Sequence, residues 1–343
     1  MNFLLITVDS LRADRIGHNG YRRETTPFLD ELADDAVFFE RAYSPSSHTR
    51  EAVPSVLTGY YPSQAVTRTY GIRKPTVARL LKDAGYETGA FLSGPFFTAR
   101  RGYDDGFDVF DSEYSRYFAP MVAQYWWKIL SNSRFRDGYD INDSIRSFAE
   151  DTDEPFFAWG HYMDVHAPYT RSAERRFDDG VGDREAQATF RKAKHTPFAT
   201  DEDRRRIIDL YDNSVRYFDG VMKDLFERLD EAGLLDDTVV FVTSDHGELL
   251  GEGGEYEHGQ CLSPELLRVP LWMYEGEGDD NVEKPVSTVD ILPTVAEKVG
   301  LDVEHGCDGV PLRREDGDAL REIKASRYGY LRRQRERKDL LSV

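Results

Sequence analysis

The chain opens with Met1-Asn2-Phe3-Leu4-Leu5-Ile6-Thr7-Val8-Asp9, a short apolar run that ends in a carboxylate. The part from Phe3 to Val8 is apolar throughout except for Thr7, which predicts a buried strand. Comparable runs recur at 37–39, 88–92, 156–159, 239–243 and 269–274, with helical patterns between them. This alternation predicts an α/β fold with a mostly parallel central sheet and helices on both faces.

Helices are predicted from caps, breakers and apolar spacing. Thr26-Pro27 opens a helix through Leu32, residues 75–84 form a helix closed by Gly85, and a helix at 291–299 ends at Gly300. The longest, 201–229, carries apolar side chains at helical spacing: Ile207, Tyr211, Val215, Phe218, Met222, Leu225 and Leu229. Because the chain shows no repeat and no low-complexity linker, we predict one main domain over 1–300 and a short basic extension over 301–343.

The charge of the chain excludes some partners. Acidic residues outnumber basic ones 63 to 44, a net charge of −19, and Arg outnumbers Lys 34 to 10. Such a field repels nucleic-acid phosphates and anionic lipid surfaces, so we expect no nucleic-acid partner. The composition is typical of a halophilic protein from a salt-rich cytoplasm. An ordinary acidic protein from an Arg-rich genome is the alternative.

The opening strand and the number of cysteines indicate the cellular location that we expect for the protein. No basic stretch precedes the first apolar run and no small-residue cleavage site follows it, which favours a strand over a signal peptide. No apolar run approaches the roughly 20 residues that span a bilayer. Cys261 and Cys307 are too few for a disulfide framework. We therefore expect a cytoplasmic protein without a transmembrane segment, and the sequence leaves the oligomeric state open.

Carboxylates and an imidazole follow two predicted strands. Asp9 comes directly after the first strand, and Asp245-His246 follow the strand 239–243. Since ligands bind outside the carboxyl ends of parallel strands, these side chains are expected to converge there. Two carboxylates suit Mg²⁺, Ca²⁺ or Mn²⁺, and the imidazole favours Mn²⁺ or Zn²⁺. A plain helix cap is the alternative for each Asp.

Thr49 is the third element of this pattern. A helix that begins near Arg50 would place Thr49 at its amino end, where amide hydrogens and the helix dipole attract an anion. A hydroxyl there could ligate the cation and attack a phosphorus atom. The competing interpretation is that Thr49 only caps the helix.

Eight short blocks resemble the sulfatase family of the alkaline phosphatase superfamily and follow the family's order over roughly residues 1–300. They lie at 5–14, 26–30, 57–62, 81–86, 162–169, 243–248, 268–271 and 289–294. The resemblance implies an alkaline phosphatase/sulfatase-like fold with a catalytic domain over 1–300. The family's small C-terminal sheet subdomain would then be reduced to 301–343.

The resemblance also implies roles for individual residues. Asp9, Asp245 and His246 match metal ligands, and Thr49 matches the nucleophile, itself a ligand, by its ten-residue spacing to Gly59. His166 matches a histidine that contacts the substrate or leaving group, and His258 lies where the family places a Lys or His near the ester oxygens. Arg50 would hold the equatorial oxygens. The alternatives are a structural role for His166 and a surface position for His258.

Departures from the family pattern bear on the reaction. Sulfatases make formylglycine from Cys or Ser in a Cys/Ser-x-Pro-Ser-Arg setting, whereas Thr49 cannot yield that aldehyde and Val53 stands in place of the arginine. Ser46, with Arg50 four residues later, is a rival position for the nucleophile. Ser10 replaces the second aspartate, and 93–95 lacks the family's Lys-x-x-His ligands. These differences put sulfate-ester hydrolysis in doubt.

We therefore predict a metal-dependent hydrolase or transferase that cleaves a phosphate ester or diester of a small molecule, glycan or lipid headgroup. A sulfuric ester hydrolase is the runner-up, and a catalytically silent binding protein is the alternative of another class. Asp164, His166 and His258 are candidates for a second metal site. The aromatic segment 114–130 shapes a substrate mouth or packs as a helix, and the basic segment 321–338 reads as a solvated terminal helix or strand.

Overall fold

The computed structural model describes residues 1–113, 135–171, 176–177, 180, 182–196, 198–258, 261–276, 278, 280–301, 303, 306–314 and 323–326. The aromatic segment 114–130 and most of the basic segment 321–338 lie outside these ranges. The interpretations of both segments therefore stay predictions.

An eight-stranded sheet forms the centre of the molecule. The strands of the described chain are β1 (Asn2–Val8), β2 (Ala36–Phe39), β3 (Ala42–Tyr43), β4 (Glu87–Leu92), β5 (Val109–Ser112), β6 (Phe156–Tyr162), β7 (Thr238–Ser244), β8 (Leu249–Leu250), β9 (Tyr256–Glu257), β10 (Arg268–Val269), β11 (Leu271–Tyr274), β12 (Asn281–Val282) and β13 (Val286–Ser287). Their order in the main sheet is β12-β2-β11-β7-β1-β6-β4-β5. The strand β1 therefore lies between β7 and β6.

Most neighbours in the main sheet run parallel. β1 pairs in parallel with β6 and β7, and β4 pairs in parallel with β5 and β6. Among the described strands of this sheet, only β11 runs antiparallel, against both β7 and β2. The mostly parallel sheet predicted from the sequence is confirmed.

Helices cover both faces of the sheet. They are α1 (Pro27–Leu32), α2 (Thr49–Thr58), α3 (Pro62–Ala65), α4 (Val77–Asp83), α5 (Gly138–Asp151), α6 (Asp183–His195), α7 (Asp201–Glu231), α8 (Pro264–Leu267) and α9 (Ile291–Lys298), with 3-10 turns at Ala13–Arg15, Ala99–Arg101, Glu252–Gly254 and Thr288–Asp290. Because side chains alternate along a strand, Leu4 and Ile6 pack on one face with α5 and α7, and Phe3 and Leu5 pack on the other with α2, α4 and α9. No helix of the described residues is both long enough and apolar enough to cross a membrane.

The predicted strand 269–274 is divided in the structure. Arg268–Val269 pairs with β3 in a separate three-stranded sheet, while Leu271–Tyr274 joins the main sheet beside β7. Pro270 lies between the two pieces, and its ring removes the backbone donor that a continuous ladder would need. The prediction of one continuous strand is wrong at this point.

Part of the predicted extension 301–343 packs against the main domain. The Tyr61 N–H and the Gln64 side-chain amide donate to the carboxylate of Asp308. The Leu312 N–H donates to Thr294 Oγ1 of α9 at 2.8 Å. Residues 306–314 thus lie along α3 and α9, and the division at residue 300 stays a prediction.

Candidate active site

The carboxyl ends of three adjacent strands bring the candidate residues together. Asp9 follows β1 and its N–H donates to the Tyr162 carbonyl of β6 at 2.9 Å. Asp245 follows β7 and its N–H donates to the Val8 carbonyl at 3.2 Å. The parallel register of the strands therefore extends one residue into each loop and places both carboxylates at one edge of the sheet.

Thr49 reaches this edge from the first turn of α2. Its Oγ1 donates to Asp9 Oδ2 at 3.1 Å and lies 3.1 Å from His246 Nε2. The residue at the cap position is His48, whose side chain makes no capping hydrogen bond, so the hydroxyl of Thr49 is not used as a helix cap. The rival nucleophile, Ser46, instead donates its hydroxyl to the buried Glu51 at 2.7 Å.

Ser10 holds the two carboxylates in place. Its Oγ donates to Asp9 Oδ1 at 2.7 Å, and its N–H donates to Asp245 Oδ1 at 3.3 Å. Ser10 adopts φ +70°, a left-handed conformation that non-glycine residues rarely adopt. The Tyr211 hydroxyl of α7 supports this turn by donating to the Ser10 carbonyl at 2.7 Å and accepting from the Arg12 N–H at 2.9 Å.

His246 has a defined orientation. Its Nδ1 lies 2.8 Å from the Gly247 carbonyl, which only accepts, so Nδ1 carries a proton. In the neutral ring the lone pair is then on Nε2, which lies 3.5 Å from Asp245 Oδ2 and 4.0 Å from Asp9 Oδ1. A backbone carbonyl that fixes the ring in this way is the usual partner of a metal-binding histidine.

The two aspartates have pKa values that are shifted in opposite directions. Burial raises the pKa of Asp245 to about 7, with a further contribution from the charge of Asp9. Burial also opposes ionisation of Asp9, but the surrounding imidazoles, His166 and His246 above all, hold the pKa of Asp9 well below its usual range. Two buried carboxylates that share one site need a positive charge between them to ionise together.

The imidazoles of the crevice also have pKa values that are shifted in different directions. Burial disfavours the charged form of His246, yet Asp245 and Asp9 outweigh it and raise the pKa of His246. Burial lowers the pKa of His258 to about 3 and that of His161 to about 4. His161 and His258 are therefore neutral at pH 7 and can act as ligands or hydrogen-bond partners.

His166 and His258 lie together beside the metal-binding candidates. Their ring centroids are 6.0 Å apart, and the ring of His258 lies 4.7 Å from that of His246. The buried Glu248 approaches His258, with Oε1 3.5 Å from Nδ1, and its other oxygen accepts from the Tyr169 hydroxyl at 3.0 Å. Burial raises the pKa of Glu248 to about 8.

Asp164, a candidate for the second metal site, contacts α5 and Arg171 through one carboxylate oxygen. Its Oδ1 accepts from the Gly138 N–H at 3.3 Å and lies 3.4 Å from Arg171 Nε. Asp164 therefore anchors the start of α5. Glu248 is the carboxylate that lies beside His258.

Arg50 extends from the same turn as Thr49. Its guanidinium carbon lies 4.8 Å from the centre of the Tyr70 ring and 5.7 Å from that of Phe96. Stacking on aromatic rings orients a guanidinium without neutralising it. The side chain is half-buried.

Comparison with known proteins places this site in a family. The family model for Sulfatase matches residues 1–301. The chain belongs to the sulfatase family.

This sulfatase-family chain is similar to proteins with different reactions. It is 27% identical over 285 residues to the low-salt glycan biosynthesis sulfotransferase Agl7 of Haloferax volcanii, covering 81% of this chain and 58% of Agl7. Its fold resembles the phosphonate monoester hydrolase of Agrobacterium radiobacter, with TM-score 0.72, 20% identity and coverage of 94% and 79%. It also resembles the zinc complex of the C-terminal periplasmic domain of EptC from Escherichia coli, with TM-score 0.72, 16% identity and coverage of 99% and 92%.

The crevice of this sulfatase-family chain fits a divalent cation. One ligand atom each from Asp9, His161 and Asp245 lie within 4.8 Å of one another, and all three residues are buried. Asp245 Oδ2 and His161 Nε2 are buried and have no hydrogen-bond partner in the described part of the chain. A cation would satisfy both atoms and balance the paired carboxylates.

Two residues of the candidate site, His161 and Glu248, were not predicted from the sequence. His161 is the penultimate residue of β6, and its position two residues after the predicted strand 156–159 was the available signal. Glu248 follows Asp245-His246-Gly247 directly, and its position three residues after Asp245 was the available signal.

Proposed function

We propose that the chain is a metal-dependent phosphoesterase or phosphotransferase of the sulfatase family that uses Thr49 as its nucleophile. The observation that carries the proposal is the position of the Thr49 hydroxyl, 3.1 Å from both Asp9 Oδ2 and His246 Nε2. Asp9, Asp245, His246 and the hydroxyl itself would hold the cation. When bound, the cation would lower the pKa of the hydroxyl and withdraw charge from the ester oxygens.

The chemistry of Thr49 favours a phosphate ester over a sulfate ester. Oxidation of a threonine side chain gives a ketone, so this position cannot supply the formylglycine aldehyde of sulfatases. An unmodified alcohol can attack phosphorus in line with the leaving oxygen. The bond from Thr49 Oγ1 to phosphorus forms, the bond from phosphorus to the leaving oxygen breaks, and the hydroxyl proton passes to the carboxylates around it.

His166 is the candidate for protonating the leaving oxygen, and His258, which is neutral at pH 7, would donate a ring N–H to an ester oxygen. Their rings lie 6.0 Å apart on the same side of the crevice as His246. A positioned acid of this kind contributes about 10²- to 10⁴-fold to the rate. Attack by water or by an acceptor alcohol then releases the phosphoryl group from Thr49.

Arg50 and the amino end of α2 would bind the remaining ester oxygens. The amide hydrogens of the first turn and the helix dipole favour negative charge beside Thr49. Arg50 stacks on Tyr70 at 4.8 Å, which leaves its guanidinium hydrogens available to an anion. In a chain of net charge −19, this turn is a local attractor for an anionic substrate.

The site and the names of the relatives support a proposal for the class of substrate. The two fold neighbours named above are a phosphonate monoester hydrolase and EptC, and Agl7 is named for glycan biosynthesis. We propose a phosphate ester or diester on a glycan or lipid headgroup. A sulfate ester is the second candidate, because the family and the Agl7 sulfotransferase favour sulfuryl chemistry.

Hydrolysis of nitrophenyl phosphate, bis-nitrophenyl phosphate and nitrophenyl sulfate tests the proposal. The assays are run in high salt, which screens the net charge of −19, with and without Zn²⁺ or Mn²⁺. A phosphate ester is expected to be cleaved only with the cation present, and Thr49→Ala is expected to lose at least about 10³-fold in kcat. Thr49→Ser, which keeps the hydroxyl, is the matched control. Full activity of Thr49→Ala, or cleavage of the sulfate alone, contradicts the proposal.

A further inference from the structure

His161 occupies a position in the sheet that directs its ring at the two aspartates. In the parallel pairing of β1 with β6, His161 lies opposite Thr7, two positions before Asp9. The residue is fully buried, with an exposed fraction of 0%. The ring of Phe97 packs against it, with centroids 4.5 Å apart, which restricts its rotation.

The outer nitrogen of this ring lacks a partner where it faces the carboxylates. His161, Asp9 and Asp245 each contribute one potential ligand atom to a group within 4.8 Å. Among the described residues, His161 Nε2 and Asp245 Oδ2 are buried atoms with no hydrogen-bond partner. Burying two such atoms without a partner is unfavourable, and a ligand between them would satisfy both.

The inner nitrogen belongs to a hydrogen-bond network that is compatible with a lone pair on Nε2. Nδ1 lies 2.8 Å from Thr7 Oγ1, which also accepts from Trp159 Nε1 at 2.9 Å. If Nδ1–H donates to Thr7, both lone pairs of that hydroxyl are used and its hydrogen points to the Gly160 carbonyl at 3.4 Å. Every group behind the ring is then satisfied, and Nε2 presents a lone pair to the carboxylates.

We propose that His161 is a protein ligand of the divalent cation, together with Asp9, Asp245 and His246. A lone pair directed between two carboxylates is repelled unless a cation lies between them, and the Thr7 contact is the outer partner that metal-binding histidines use. Two imidazoles, two carboxylates and the Thr49 hydroxyl form a mixed nitrogen and oxygen donor set, which favours Zn²⁺ or Mn²⁺ over Mg²⁺ and Ca²⁺. This inference rests on the metal site of the proposed function but not on its reaction.

Metal affinity of the full-length His161→Phe variant tests the inference without reference to turnover. Phenylalanine keeps the aromatic packing against Phe97 and removes both nitrogens. The dissociation constants of Zn²⁺, Mn²⁺, Mg²⁺ and Ca²⁺ are measured by calorimetry, and Co²⁺ is used as a spectroscopic probe. His18→Phe, which removes a half-buried histidine near Asn281, is the matched control.

The expected result is a loss of at least about 100-fold in Zn²⁺ affinity for His161→Phe, with a changed visible spectrum of the Co²⁺ form. His18→Phe is expected to keep wild-type affinity. Thr7→Val keeps both ring nitrogens of His161 but removes their outer partner, together with the acceptor of Trp159 Nε1. This variant is expected to lose about 10- to 100-fold in Zn²⁺ affinity, and it carries the test if His161→Phe does not fold. Wild-type Zn²⁺ affinity in His161→Phe, or in Thr7→Val where that variant is used instead, overturns the inference. So does tighter binding of Mg²⁺ than of Zn²⁺ by the wild type.

The failure of this inference is distinguishable from the failure of the proposed function. A wild-type protein that binds Zn²⁺ through His161 but cleaves no phosphate ester supports the ligand assignment and rejects the reaction. A protein that cleaves phosphate esters while His161→Phe binds Zn²⁺ normally rejects the ligand assignment and supports the reaction.

Discussion

The hydroxyl of Thr49 lies 3.1 Å from Asp9 Oδ2, although 40 positions separate the two residues along the chain. Asp9 is fixed by the end of β1 and Thr49 by the first turn of α2, so two rigid elements determine this distance. A site built on such elements keeps its geometry without a ligand. Single substitutions in the crevice can therefore be interpreted as the loss of one side chain from a fixed arrangement.

Compared with the wild type, Asp245→Asn is expected to be at least as stable without metal and less stable with metal. In metal-free protein the change removes a buried charge that lies beside Asp9, so the free energy of unfolding stays equal or rises. At a cation concentration 100 times its Kd, the wild type gains about 2.7 kcal/mol and the variant gains far less. Denaturant unfolding with Zn²⁺ or with a chelator measures both effects. Equal stabilisation of the two proteins by Zn²⁺ would exclude Asp245 from the metal site.

Arg50→Ala is expected to lower kcat by about 10²-fold, because the group that would stabilise the ester oxygens in the transition state is removed. Arg50→Lys is expected to be intermediate, since lysine keeps the charge but not the planar donor pair. Steady-state kinetics with the best phosphate ester measures both. Arg146→Ala, which breaks an exposed ion pair with Glu150 on α5, is the control and keeps wild-type kinetics. Unchanged kcat in Arg50→Ala would remove Arg50 from the site.

Gly247→Ala is expected to destabilise the loop that carries His246. A methyl group at Gly247 would lie 1.9 Å from the Glu265 carbonyl oxygen of α8, so the backbone must shift. We expect a loss of about 1–3 kcal/mol and weaker metal binding, measured by denaturant unfolding and calorimetry. Gly182→Ala, where the added carbon meets nothing within 4 Å, is the control. A Gly247→Ala protein as stable as Gly182→Ala would refute this packing argument.

Asp219 gives a pH dependence that is independent of the active site. This buried residue of α7 accepts from the Phe28 and Leu29 N–H groups at 3.1 and 2.9 Å. Burial raises the pKa of Asp219 to about 7, more than these hydrogen bonds lower it. The folded state therefore binds the proton more tightly than the unfolded state, and the resulting stability is lost as the pH rises from about 4 to about 7.

Asp219→Asn tests this pH dependence, because the amide keeps an acceptor and cannot titrate. Relative to the variant, the wild type is expected to lose on the order of 2 kcal/mol in free energy of unfolding between pH 5 and pH 8. Denaturant unfolding at both pH values measures the difference. The exposed Asp83→Asn serves as control. A constant difference between wild type and Asp219→Asn over this range would show that Asp219 is ionised throughout.

Much of the fold was predictable because the strands of a buried parallel sheet are short apolar runs. The main sheet, the long helix α7 and the positions of Asp9 and Asp245 at strand ends followed from such runs. The helix α5 was missed, although its apolar residues Ile141, Ile145, Phe148 and Ala149 recur at helical spacing. The break at Pro270 was also missed, and the proline itself was the signal.

The candidate site was less accessible from sequence, because its remaining members depend on tertiary contacts. His161 lies one residue before the end of β6, and the register against Thr7 of β1 brings it close to Asp9. Glu248 lies beside His258 because the loop after β7 folds back through β8 and β9. Both contacts depend on how strands and loops pair in three dimensions, which the positions along the chain do not specify.

The central claim, that the Thr49 hydroxyl is the nucleophile, is tested most directly by trapping the covalent ester. The protein is incubated with Zn²⁺ and a phosphate ester that it cleaves, quenched in acid during turnover, and digested for peptide mass spectrometry. We predict one added phosphoryl group on Thr49 in the wild type and none on that peptide in Thr49→Ala. A phosphoryl group on Ser46, or turnover in the wild type with no adduct on Thr49 at any quench time, would contradict the claim.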